Sequence, residues 1–290
     1  MIKLIASDMD GTLVSGHLSI APETAEAVKF AQKQGIEFVV ATGRNYQEAS
    51  VPLKNAGIEC GMITVNGAQV YDKNGETVTV VDIDKEAVAE ILDIFEENNI
   101  YAEIATDKGI FSESHAQRIE YFASHIAEAI PHLTYKQALA LASTRMEFFH
   151  ITYVKSIREV AKRSDIRVLK LFVINPDGDK VLGPLSKEIS EKIPDVVITS
   201  SGTYNIEINH KNAQKGIAVA RLAHQLGIEQ SEVMAIGDSF NDVSMLQYAG
   251  VSFAMGNAEQ EIKEYAKYET DSNNDNGVGK AILKAINEDL

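Results

Sequence analysis

Apolar positions along the chain fall into two rhythms, one short and continuous, the other spaced like a helix face. Residues 3–7 form a short apolar run that predicts a strand, and in 22–34 the apolar Ala27, Val28 and Ala31 recur at helical spacing before Gly35. The pattern repeats with a strand over 36–41, a helix over 46–56 closed by Gly57, and a strand over 61–65. Strands alternating with helices imply parallel pairing through crossover connections.

Between residues 69 and 81 the rhythm changes to two short β runs around Asn74-Gly75, a strong hairpin signal. Residues 82–201 are mixed: a helix near 85–98, a strand near 101–105, a helix near 117–129, and β runs over 148–154 and 168–174. The strand–helix alternation then resumes with a strand over 205–208, a helix over 215–226 closed by Gly227, a strand over 233–236, a helix over 242–248 and a strand over 251–254. This pattern predicts an α/β protein with a Rossmann-like parallel-sheet core made of residues 1–81 and 202–290. An α+β cap domain over 82–201 interrupts it. A length of 290 residues suits two domains.

Three predicted strands carry polar residues just past their carboxyl ends, where ligands bind in open parallel α/β sheets. Asp8-Met9-Asp10-Gly11-Thr12-Leu13 follows the first strand, Thr42-Gly43-Arg44 the second, and Gly237-Asp238-Ser239-Phe240-Asn241-Asp242 ends a later one. Singly, each has a plain structural use: Asp8 ends a strand, Asp242 caps a helix, Asp10-Gly11 makes a turn. Together they gather carboxylates at one edge of one sheet. Two such groups 4 Å apart repel by about 4 kcal/mol at an effective dielectric near 20, so their convergence calls for a cation. All candidate ligands are oxygens and no Cys or His has suitable spacing, which favours Mg²⁺ over Zn²⁺. Lys215, opening its predicted helix, offers a second positive charge or is a solvated helix-end lysine.

Composition narrows the partners. The chain is ordinary for a globular protein at 45% hydrophobic and 24% charged, and its net charge of −15 repels polyanions, so nucleic acid is not expected. Cys60 is the sole cysteine, which excludes an internal disulfide. The early aspartates leave no apolar stretch for a signal peptide, and no run of about twenty apolar residues could span a bilayer. A cytoplasmic location without membrane attachment is the expectation. Oligomeric state is not written in the sequence.

With these residues in view, the chain resembles the haloacid-dehalogenase-like hydrolases, specifically Cof-type phosphatases with an α/β cap between the second and third motifs. The resemblance spans essentially the whole length. It rests on DMDGTL at 8–13, ATGR at 41–44, NGA at 66–68, Lys215-Gly216, GDSFNDVSML at 237–246, AMGNA at 254–258 and Gly277-Val278. It implies that Asp8 is the nucleophile and Asp10 the general acid and base, while Thr42, the Gly43 amide, Lys215 and Asn241 hold the phosphoryl group. It also implies Mg²⁺ held by Asp8, the Asp10 main-chain carbonyl and Asp238, with Asp242 in support. A small phosphorylated metabolite, such as a sugar phosphate, is the implied substrate. A phosphomutase on the same core, a dehalogenase and a catalytically idle phosphometabolite-binding protein are the rival readings. The dehalogenase is disfavoured, because Asp10 and Asp238 have no task in displacing halide from carbon.

Other features are set aside. Asp271, Asn273 and Asp275 imitate a calcium loop, but Asn276 stands where Gly is needed and Ile282 where a bidentate Glu is needed. Gly277-Val278-Gly279 is too short for a dinucleotide fingerprint. His115, His125, His132 and His150 in the cap lack metal-like spacing, and Cys60 reads as a small packing residue.

Overall fold

The computed structural model describes residues 1–15, 19–129, 133–145, 151–201 and 204–290. The chain begins with β1 (Leu4–Ser7), α1 (Pro22–Lys33), β2 (Glu37–Ala41), α2 (Tyr46–Ala56) and β3 (Gly61–Thr64), followed by the short strands β4 (Gln69–Tyr71) and β5 (Thr77–Val80). Local chemistry sets the ends of these elements. Pro22 opens α1, where its missing N–H is no loss, and the Asn45 side chain caps α2 by accepting from Glu48 N. Gly57 closes α2 in the left-handed region that glycine enters freely. The hairpin at Asn74-Gly75 is wider than a two-residue turn, because the Asp72 carboxylate accepts from the backbone of both Asn74 and Glu76.

Residues 82–210 form a separate compact unit. In order, it holds α3 (Lys85–Glu97), β6 (Ala102–Thr106), β7 (Gly109–Ser112), α4 (His115–Ala129), α5 (Tyr135–Arg145) and β8 (Ile151–Tyr153). It continues with α6 (Ile157–Ala161), β9 (Val168–Ile174), α7 (Asp179–Lys192), β10 (Val196–Thr199) and β11 (Asn205–His210). Its sheet runs β10-β11-β9-β6-β7-β8, antiparallel except where β7 meets β8. The strand expected over 148–154 is described only in its β8 part; His132 and His150 also lie outside the described residues.

One expectation fails here. The strand placed over 205–208 as the return of the core is β11 of the cap sheet, antiparallel to both β9 and β10, so the core resumes at Lys211 rather than at residue 202. The reason lies in its alternation. Ile206 and Ile208 enter the cap's apolar cluster, while Asn205, Glu207 and Asn209 occupy the other face, and Glu207 pairs with Lys170 of β9 at 3.0 Å. A strand buried on both faces of a parallel sheet would be apolar throughout.

The remaining core comprises α8 (Lys215–Leu226), β12 (Val233–Gly237), α9 (Val243–Tyr248), β13 (Val251–Ala254), α10 (Gln260–Lys263), β14 (Tyr268–Glu269) and α11 (Gly277–Asn287). Its sheet runs β14-β13-β12-β1-β2-β3-β4-β5, parallel from β14 to β3 with the β4–β5 hairpin antiparallel at one edge. Both faces are covered. Ile5, Phe38, Val40 and Ile236 pack with α1, α2 and α11, whereas Leu4, Ala6, Val39 and Ala235 pack with α8, α9 and α10. The chain departs from β1 toward β2 on one side and returns through β12 on the other, so the β1–β12 seam is the switch point of the sheet. No helix among the described residues is long and apolar enough to cross a membrane.

Candidate active site

The backbone of Asp8 prolongs the seam, its N–H donating to the Ile236 carbonyl at 2.9 Å, so the side chain leaves β1 beside the residues that leave β12. Asp8, Asp238 and Asp242 consequently offer carboxylate oxygens within 4.8 Å of one another. Lys215, the first residue of α8, is fully buried between two of them, 2.5 Å from Asp8 Oδ1 and 2.6 Å from Asp242 Oδ1. Its position depends on how closely α8 approaches α9. A Cβ on Gly216 would lie 2.2 Å from the Ser244 carbonyl oxygen, and the Gly216 N–H donates to Ser244 Oγ at 3.0 Å.

Each carboxylate has its own environment. Asp242 is the most engaged: Oδ1 accepts from Lys215, and Oδ2 accepts from the backbone N–H of Asp238 and of Ser239 at 2.9 and 3.0 Å. Asp238 accepts from Thr12 Oγ1 at 2.6 Å and from Ser239 Oγ at 3.2 Å. The turn after β1 touches it directly, since Gly11 has φ +76° and a Cβ there would stand 2.4 Å from Asp238 Oδ2. Burial and the Asp242 charge push Asp238 up to about 6. Burial, then Asp242, lift Asp8 well above its ordinary 3.8, against the pull of Lys215. Burial alone would lower Lys215, but Asp242 and Asp8 together raise it, so it stays an ammonium.

Ionised, the three carboxylates and one ammonium leave two negative charges uncompensated. Asp8, Asp238 and Asp242 together form an all-oxygen set that suits a hard divalent ion, and Asp242 is the member with the most hydrogen bonds already made.

Asp10 stands apart from that cluster. Its carboxylate forms a two-pronged pair with Arg44, Nε to Oδ2 at 2.8 Å and one terminal nitrogen to Oδ1 at 2.5 Å, and it is half exposed. Arg44 carried no assigned role in the sequence, although it sits in the quoted Thr42-Gly43-Arg44 segment. Thr42 is buried at the end of β2, with Oγ1 accepting from Arg44 N at 3.1 Å while its own proton stays available to donate. Gly43 lies beside it.

Asn241 and Asn66 meet on the same edge. Asn241 Nδ2 donates to Asn66 Oδ1 at 3.3 Å, and Asn241 Oδ1 is buried without a hydrogen-bond partner among the described residues. A ligand would satisfy that orphan in either amide orientation. Val65 and Asn66 have φ of +50° and +58°, a conformation that costs a β-branched residue about 1–3 kcal/mol. Two backbone bonds hold them there, Val65 N to Arg44 O at 2.9 Å and Asn66 N to Thr42 O at 3.0 Å. The strain thus fastens Asn66 to the loop that bears Thr42. In the sequence the run Asn66-Gly67-Ala68 stands out as a motif piece, but it assigns no role to Asn66.

Residues 5–282 match the sequence model of a family described as haloacid dehalogenase-like hydrolase. The chain is similar to phosphatase YwpJ of Bacillus subtilis, with 33% identity over 96% of this chain and 97% of that protein. It is also 33% identical to the 5-amino-6-(5-phospho-D-ribitylamino)uracil phosphatase YwtE of the same organism, over 97% of each. Among solved structures, a haloacid dehalogenase-like hydrolase from B. subtilis superposes with a TM-score of 0.87 at 31% identity, covering 97% of this chain and 99% of that one.

Proposed function

Because the chain belongs to the haloacid dehalogenase-like hydrolases and is, like its relatives, a phosphatase, we propose that it hydrolyses small phosphate esters through a phospho-aspartate at Asp8, with Mg²⁺ as cofactor. The observation that carries this reading is Lys215, buried and bonded to Asp8 and Asp242 where two carboxylates remain to be neutralised.

A carboxylate approaching a phosphate dianion meets strong repulsion, and phosphoryl transfer is governed by positioning and charge neutralisation. Asp8, Asp238 and the Asp10 main-chain carbonyl would hold Mg²⁺, which when bound offsets negative charge on the phosphoryl oxygens. Lys215 orients Asp8 and contributes positive charge to the phosphoryl group. The Thr42 hydroxyl, the Gly43 amide and Asn241 receive the phosphoryl oxygens. An oxygen of Asp8 forms a bond to phosphorus as the ester P–O bond breaks, and Asp10 gives its proton to the departing alkoxide. Water then attacks the phospho-aspartate, Asp10 takes a proton from it, and the bond from Asp8 to phosphorus breaks to release inorganic phosphate. Both oxygens of Asp10 accept from Arg44, which fixes where its carboxyl group is held.

The leaving group is a small alcohol, such as that of a sugar phosphate. The substrate named for YwtE bears its phosphate on a ribityl chain, which supports a polyol phosphate as the substrate class. A screen of phosphate esters with and without Mg²⁺ is the test, with Asp8→Asn as control. Metal-dependent phosphate release that Asp8→Asn abolishes, in a variant that keeps its fold, is the expected result. Release requiring a bisphosphate activator would mean a mutase, and no turnover of any ester would mean a binding protein.

A further inference from the structure

The residues between Asp8 and Val14 form a tight turn that must hold its shape, because Thr12 and Gly11 both rest on Asp238. The turn's own bonds are modest: Thr12 N to Met9 O at 3.4 Å, Leu13 N to Asp8 O at 3.3 Å and Val14 N to Met9 O at 2.8 Å. Two asparagines from the far end of the chain add to them. Asn257 Nδ2 donates to the Gly11 carbonyl at 2.8 Å, and Asn273 Nδ2 donates to the Val14 carbonyl at 3.0 Å. The two are joined, since Asn273 N donates to Asn257 Oδ1 at 3.0 Å.

This arrangement gives Asn257 a single workable amide orientation. One end faces a carbonyl, which only accepts, and the other faces an N–H, which only donates. The loop that supplies Asn257 is itself tied to β12, Met255 N donating to the Gly237 carbonyl at 3.0 Å, immediately before Asp238. The turn carrying Asp10 and the strand end carrying Asp238 are therefore braced from one segment. The Asn257 side chain bonds to the Gly11 carbonyl and the Asn273 N–H, so its action is on the backbone that places the carboxylates.

We propose that Asn257, oriented by Asn273, is a positioning residue that locks the Gly11–Thr12 turn against Asp238 and thereby sets the affinity of the site for its divalent cation. This rests on the reading of Asp8 and Asp238 as cation ligands. Losing the bond to Gly11 O lets the turn relax, and the cation must then reorder it on binding. One neutral hydrogen bond of this kind corresponds to roughly a 3- to 10-fold change in affinity.

The experiment compares wild type with Asn257→Ala, titrating Mg²⁺ alone by calorimetry at pH 7.5 and recording urea midpoints without metal. The expected result is a Mg²⁺ Kd raised about 3- to 10-fold with the midpoint close to wild type, and activity that returns at saturating Mg²⁺. A Kd equal to wild type in a folded variant overturns the proposal, as does a loss of stability with no change in Kd. If Asn257→Ala does not fold, Asn257→Leu, which keeps the side-chain volume while removing the bond to Gly11 O, is read by the same two outcomes. Wild type that binds no Mg²⁺ would instead refute the underlying metal site, which separates the two failures.

Discussion

Replacing Lys215 with Met tests the charge arithmetic of the site most directly. The substitution keeps a long unbranched stem in a fully buried position, so little packing is lost, but it removes the ammonium that Asp8 and Asp242 share. Deleting one partner of a buried ion pair costs about 3–5 kcal/mol, because the other charge stays buried and unpaired. At a urea slope of about 3 kcal/mol per molar, the core's unfolding midpoint should fall by roughly 1–1.7 M at pH 8 in EDTA. The pH dependence identifies the origin of the loss. Asp8 and Asp238 already titrate above their ordinary 3.8 in the folded state, and without Lys215 they titrate higher still. Between about pH 4 and those raised values the folded protein binds more protons than the unfolded one, so stability falls as pH rises. Lys215→Met should therefore be much closer to wild type at pH 5 than at pH 8. Midpoints are the quantity to compare, since the cap and core units need not unfold together. An equal shift at both pH values would assign the loss to packing, and a shift below about 0.3 M at pH 8 would mean that the carboxylates do not need this lysine.

Asp238 titrating near 6 implies that Mg²⁺ binding, followed by calorimetry, is flat above about pH 7 and weakens toward pH 5 as protons compete; constant affinity across that range would contradict the assignment. Gly216→Ala should lower stability by about 1–3 kcal/mol and reduce activity, because its Cβ would drive α8 away from the Ser244 backbone and carry Lys215 with it; unchanged melting and turnover would show that the helices give way freely. Burial pushes the Cys60 thiol up to about 12, so it should resist alkylation at pH 8 until the protein is unfolded, and stoichiometric labelling of native protein within minutes would refute that.

What the sequence determined by itself is the core and the placement of its chemistry. Buried parallel strands must be apolar on both faces and must stop where polar residues begin, so Asp8, Thr42 and Asp238 could be assigned to strand ends from pattern alone, and β1, β2 and β12 are indeed neighbours. Gly57 and Gly227 marked helix ends because a left-handed residue there favours glycine. The cap was less legible. Its strand β11 alternates polar and apolar residues while β9 is almost wholly apolar, and assigning 205–208 to one sheet or another depends on partners far away in sequence, which local pattern does not encode. The C-terminal α11 was missed for a related reason: it opens at Gly277-Val278-Gly279, poor helix formers, and is held by packing against α1 rather than by propensity. Tertiary structure alone decided how the site residues share their partners. It placed Lys215 against Asp242, paired Asp10 with Arg44, and brought Asn257 onto the Gly11 carbonyl across an interval of 246 residues. Each is a hydrogen bond between segments joined only by the fold, and its geometry exists only once the sheet has set the distances.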